Sequence, residues 1–184
     1  MNDIEVEFGN SLYQPMLDRY IAGQNVPFTE VQKVSRKMGQ PASGASAFVE
    51  QFFPLVRALN QKLPPEKRLR ALAGDPAVDW DQIKGIQDLM ERHFDRDASI
   101  ASVMEKEVLS KCRKALMLFG TFHIMHGTGS AVSLYEKEFP NLRSSSVSLA
   151  YSILTFRLCM TVSSLTGQYP PLRVQRAQGW APWI

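Results

Sequence analysis

"KALMLFGTFHIMHGTGS", Lys114–Ser130, is the stretch on which the reading of this chain turns. After the lysine, Ala115–Phe119 is unbroken apolar sequence, and Gly120 ends it. A run of that length without alternation suits a parallel strand buried on both faces. Behind it come His123, His126, Gly127 and Gly129, and Ser130 then opens a helix to about Glu138, stopped by Pro140. A strand, a turn and a helix in that order predict an α/β unit. In open parallel sheets, ligands bind beyond the carboxyl ends of the strands. His123 stands just past such an end.

The same grammar extends outward in both directions. "IEVEF", Ile4–Phe8, reads as a strand broken by Gly9 and Asn10, followed by a helix with Met16, Leu17, Tyr20 and Ile21 on one face. Thr29 with Gln32 three residues on predicts a capping box. After the loop Gln40–Ala47, Val49, Phe52, Phe53, Val56, Leu59 and Leu63 recur at helical spacing. Pro54 marks a first turn or a kink in that helix, and Pro64-Pro65 stops it. Arg68–Gly74 is a further strand, and Asp95–Cys112 a helix presenting Ile100, Val103, Met104 and Val108. Strands separated by helices imply right-handed crossovers. The expected architecture is a mostly parallel sheet flanked by helices, with strands near 4–8, 68–73 and 114–119. Within 146–158 a further strand is expected, although a helix fits there as well.

The composition, with 45% hydrophobic and 21% charged residues over 184, is that of one ordinary globular domain. A net charge of +3 without any recognition motif argues against nucleic acid as a partner. The charge is unevenly placed. Residues 1–138 hold all 18 acidic residues; residues 139–184 hold four arginines, no lysine and no acid, and seven serines. The chain therefore divides into an α/β domain over 1–140 and a basic, serine-rich segment over 141–184. Cys112 and Cys159 form no metal spacing and no disulfide framework. The start "MNDIEVEFGN" has neither a basic n-region nor an apolar h-region, so a cytoplasmic location is expected. The most apolar stretch, Ser146–Leu165, contains Arg157 and many hydroxyl residues and is not expected to span a membrane.

Three polar clusters fall at the ends of the three strands: Glu7 with Asn10, Asp75 with Asp79, and Gly120 with His123. His123 suits a general base, a metal ligand or a haem ligand, or it simply satisfies a loop carbonyl. His126, three residues on, would share its face only in a helix. Glu7, at the end of a buried strand, calls for a partner such as Arg19 or Arg96, or for a function. Asp75, before Pro76, also suits a turn cap. Asp97 reads as the N-cap of its helix, and Arg96 as a clamp for an anion. The glycines 120, 127 and 129 do not form a phosphate loop, since GxxxxGK[ST] and GxGxxG are both missing. No GxSxG elbow is present.

Three blocks in order carry a family resemblance: "IEVEFGNSLYQPMLDRYIAGQNVPFTEVQKV", "FFPLVRALNQKLPPEKRLRALAGDPAVDW" and "DRDASIASVMEKEVLSKCRKALMLFGTFH". Together they resemble an uncharacterised bacterial group that looks like part of the erythromycin esterase/ChaN-like superfamily, to which TraB-type proteins also belong. The resemblance spans roughly Asp3–Pro140. It implies an α/β fold with a pocket at the strand ends, and an activity among esterase, metal-dependent hydrolase and haem binding. By the same resemblance, His123 matches the GxxH histidine and Glu7 the acid of an early strand. Asp75 matches the GDP turn, and Arg96-Asp97 the pair at the helix start. It also leads one to expect an earlier strand with another histidine and glutamate, a tryptophan near Ser35 and threonines near Met38-Gly39. None of these is present, and the acid-free ending departs from the family's last strand.

The expected function is small-molecule hydrolysis. His123 would be the base, Glu7 would position a water or a divalent metal, and Arg96 would stabilise negative charge. Asn10, Asp75, Asp97 and Gly120 would shape the binding site. The alternatives are a haem- or iron-binding protein using His123 or His126, and a non-catalytic domain held by packing or a partner. Loss of an initial strand would leave its neighbour's edge open to homodimerisation.

Overall fold

The structure is a computed structural model that describes residues 1–35, 48–79, 81–93, 95–151 and 154–163. The predicted loop 40–47 and the segment beyond residue 163 lie outside the described residues. The α/β class holds. Strands β1 (Asp3–Asn10), β2 (Arg70–Asp75) and β3 (Ala115–Gly120) form a parallel core with β1 in the middle. Ile4 stands opposite Ala71 on one side and Leu116 on the other, and Val6 opposite Ala73 and Leu118. The predicted further strand within 146–158 is two strands: β4 (Leu142–Tyr151) and β5 (Leu154–Ser163) pair antiparallel, and β5 adds antiparallel to β3. Among the described residues the strand order is β2-β1-β3-β5-β4. Within the most apolar stretch, residues 146–151 and 154–163 are strand, and among the described residues no helix is long and apolar enough to cross a membrane.

Helices cover both faces. α1 (Gln14–Ile21), α2 (Phe28–Gln32) and α3 (Phe53–Asn60) bury Leu17, Tyr20, Val31, Phe53 and Val56 against Val6 and Ala71. α4 (Ile86–His93) precedes α5 (Arg96–Glu107), and α5 and α6 (Ala131–Glu138) bury Ile100, Met104 and Tyr135 against Leu72, Met117 and Phe119. Each such side chain contributes about 1.5–3 kcal/mol of burial. Two side chains fasten the first layer. Arg57 donates to the carbonyls of Gly23 and Gln24, closing the end of α1, where Gly23 takes φ +97°. Asn60 bonds both the N–H and the C=O of Leu69 at 2.8 Å, fixing the chain's entry into β2.

Several local expectations are corrected. β1 continues through Gly9 to Asn10, because Gly9 lets the strand lie against Ala73: a Cβ there would be 2.9 Å from the Ala73 Cα. The capping box at Thr29 is absent, because the N-cap of α2 is Pro27, two residues earlier, without a side-chain cap. In β3, Ala115, Met117 and Phe119 are buried while Leu116 and Leu118 are half-buried, so the two faces are unequal. β1 is paired on both sides, and the outer strands are β2 and β4.

Candidate active site

Period-2 geometry puts Asp3, Glu5 and Glu7 on one face of β1, the face shared with Leu72 and Met117 and covered by α5 and α6. Each acid meets a different environment. At the amino end, Asp3 is held by Arg70 (Nε–Oδ1, 2.7 Å) and Arg113 (Nε–Oδ2, 2.8 Å). In the middle, Glu5 is fully buried, and neither carboxylate oxygen has a hydrogen-bond partner among the described residues. At the carboxyl end, Glu7 is the centre of a polar cluster.

That cluster draws on all three parallel strands and the start of α5. The Gly120 N–H donates to Glu7 Oε2, and a Cβ at Gly120 would sit 3.1 Å from that oxygen, tighter than an ordinary contact. Arg96 bridges β1 and β2, with Nη2 3.3 Å from Glu7 Oε1 and Nε 2.8 Å from Asp75 Oδ1. The short helical turn after β3, Thr121–Ile124, carries His123 into the cluster. Its Nδ1 lies 3.0 Å from Asp97 Oδ1, and its Nε2 faces Glu7 Oε1 at 3.5 Å. Asp97 Oδ1 also accepts the Ala131 N–H at 2.7 Å, tying α5 to the start of α6.

The electrostatics follow from this packing. Burial pushes the Glu7 carboxyl up, but the contacts from His123 and the Gly120 N–H, with the Arg96 charge, hold it below the usual carboxylate range. The Glu7 contact raises the His123 imidazole above its ordinary value, burial opposes this, and Asp97 adds to it. A carboxylate is acceptor-only, so the neutral ring keeps its proton on Nδ1 toward Asp97. The Nε2 lone pair then faces Glu7, an arrangement that favours the imidazolium. For Arg96, burial is outweighed by Asp75 and Glu7, so it remains a cation. Burial, with the charge of Asp75, pushes the Glu5 carboxyl well above its usual range.

Of the predicted residues, the structure brings Glu7, Asp75, Arg96, Asp97, Gly120 and His123 together. Asn10 is at the same rim in a supporting role: its side chain bonds both the N–H and the C=O of Val78 and accepts from the Leu12 N–H. Asp79 only organises its own turn, through the Asp81 N–H and Gln82. The N-cap of α5 is Asp95, whose side chain accepts from the Ala98 N–H, not Asp97. His126 is exposed and paired with Glu136, outside the cluster. Gly127 and Gly129, at φ +72° and +78°, supply the left-handed turn into α6, where Ser130 is the cap.

Among the described residues, no three His, Cys, Asp or Glu side chains are placed to hold a metal ion. Both nitrogens of His123 are directed at carboxylates, and its side chain is 14% exposed.

Two residues of β1 were not singled out by the sequence. Phe8 takes φ +62°, a left-handed step that is strained for an aromatic residue, and its ring lies under Arg96 at 5.3 Å. Glu5 did carry a signal: acids at positions 3, 5 and 7 of one strand must share a face. Compared with family models, curated proteins and solved structures, the chain matches none.

Proposed function

We propose that the cluster at the strand ends hydrolyses a small ester, as the resemblance of the three sequence blocks implies. The observation that carries this reading is the line Asp97–His123–Glu7: an imidazole oriented through Nδ1 at 3.0 Å, with Nε2 directed at the rim, beside a half-exposed arginine. In this scheme neutral His123 takes a proton from water at Nε2 while the water oxygen attacks the ester carbonyl carbon. Asp97 holds the Nδ1 proton and stabilises the imidazolium, the logic of a carboxylate-oriented base. Arg96 offers its guanidinium to the oxyanion. Collapse of the tetrahedral intermediate breaks the bond to the leaving alkoxide, which takes the proton back from His123. Glu7 fixes the positions of His123 and Arg96.

Because His123 is raised above its ordinary value, its basic form appears at higher pH than that of a free imidazole. The kcat/KM for p-nitrophenyl acetate should therefore rise through a single ionisation above about 6.5. His123→Ala should lower it by about 10²–10⁴-fold. Turnover that is unchanged in His123→Ala would remove the role and leave the cluster as a structural ion-pair network.

A further inference from the structure

Among the described residues β2 is an outer strand of the sheet, and a groove of about 400 Å³ runs along its outer side, between α1 and α5. Gln14 and Asp18 form one wall, and Ser99, Ser102 and Lys106 line the other. Outer strands present unpaired N–H and C=O groups to any chain that can add to them. Here those groups are occupied by a side chain. The Gln14 amide accepts the Ala73 N–H through Oε1 at 2.7 Å and donates through Nε2 to the Ala71 carbonyl at 2.9 Å. Asp18, one turn further along α1, accepts from the same Nε2 at 2.7 Å and holds the amide in place. A carboxamide with one donor and one acceptor, spanning two positions of a strand, makes the contacts that one peptide unit of a neighbouring strand would make.

We infer that the outer edge of β2 is a pairing surface for a second copy of this chain, held closed by Gln14. The choice of occupant follows from the two groups Gln14 covers. Set two β2 strands antiparallel about a twofold axis through Leu72. Ala71 of each copy then stands opposite Ala73 of the other. In a hydrogen-bonded antiparallel pair the two residues exchange both N–H···O bonds. The Ala71 carbonyl would therefore take the Ala73 N–H of the second copy, and the Ala73 N–H its Ala71 carbonyl. The atoms masked by Gln14 are thus complementary to themselves, as a twofold interface requires.

The experiment is sedimentation velocity on the full chain over a wide concentration range, with amide hydrogen exchange at Ala73. The wild type should sediment as a monomer with a protected Ala73 amide. Gln14→Ala should dimerise with at least a tenfold lower dissociation constant. Its Ala73 amide should lose protection when dilute and regain it when concentrated. Protection of the Leu72 amide, which faces β1, reports that each variant is folded. Should Gln14→Ala fail to fold, Gln14→Met fills the same space without an amide, and the same readouts apply. Monomeric Gln14→Ala at every concentration overturns the pairing surface, and an unchanged Ala73 amide in that variant overturns the closure by Gln14.

Discussion

Glu5 and Glu7 are two residues apart on one face of one strand, and their carboxyls are shifted in opposite directions. Glu7 meets the Gly120 N–H, Arg96 and His123, and is held as a carboxylate below its usual range. Glu5 meets apolar side chains and the backbone of Gly74, and burial, with the charge of Asp75, raises it well above that range. Depth alone does not separate them, since both are buried. The difference lies in position along the sheet. At the strand end, chain reversals bring backbone N–H groups, a helix start and a turn within reach of a side chain. In the middle, neighbouring strands spend their backbone groups on each other and offer only side-chain packing. A row of acids on a central strand is therefore sorted by its distance from the rim.

The comparison can be broken most forcibly at Glu7. In Glu7→Leu, His123, Arg96 and the Gly120 N–H face an apolar group, and about 3 kcal/mol of stability should be lost. A urea midpoint unchanged from wild type would mean that the partners of Glu7 do not matter. Next is Gly74, whose missing Cβ makes room for Glu5: a Cβ there would be 2.9 Å from Glu5 Oε1 and 3.0 Å from Phe119 Cζ. Gly74→Ala should cost about 2 kcal/mol, partly recovered in the double variant with Glu5→Ala. Strict additivity of the two changes would refute the shared space.

Glu5→Met should be stabilising by about 1–2 kcal/mol at pH 7, because it removes a buried carboxyl without partners. The sign with pH follows from the raised folded value. The proton on folded Glu5 favours the native state fully below the unfolded value of roughly 4.3, and that benefit drains away as pH rises through the folded value. The advantage of Glu5→Met should therefore be larger at pH 8 than at pH 4, and a gain independent of pH would show that Glu5 does not titrate differently on folding. The smallest effect is at the rim. His123, raised on folding, stabilises below roughly 6.5 and stops doing so as pH rises through its folded value; Glu7, lowered, stabilises above roughly 4.3 and stops as pH falls through its own. In Glu7→Gln the His123 ring should titrate at a lower pH than in wild type, as followed by NMR. An unmoved titration would place the cause elsewhere.

Much of this was legible before any coordinates. The parallel core could be read because apolar runs, glycines and prolines mark strands and helices locally, and the strand-end rule then singled out Glu7, Asp75, Gly120 and His123. Arg96 was among the partners expected for Glu7, and the structure chooses it over Arg19. What escaped depends on which of two equivalent residues a geometry selects. Asp95 and Asp97 are both good caps, and only the three-residue reach to the Ala98 N–H settles on Asp95, freeing Asp97 for His123. Thr29 and Gln32 have capping chemistry, yet Pro27 fixes the start of the helix. A further strand was expected within 146–158, but its division into β4 and β5 was not, because "YSIL", Tyr151–Leu154, carries no glycine, proline, asparagine or aspartate to mark a turn. Gln14 was invisible as an edge residue, because its role depends on strand order, which no local pattern encodes.

One oxygen remains to be followed outward. Asp97 Oδ1 receives both the His123 ring and the first backbone amide of α6, so the turn after β3, the start of α5 and the start of α6 share a single atom as their common bearing. Tilting α5 away from the sheet would let go of the imidazole and the α6 terminus in the same movement. The orientation of His123 is thus geared to the seating of two helices, and a disturbance anywhere along the α5–α6 contact would be felt at the imidazole without touching it.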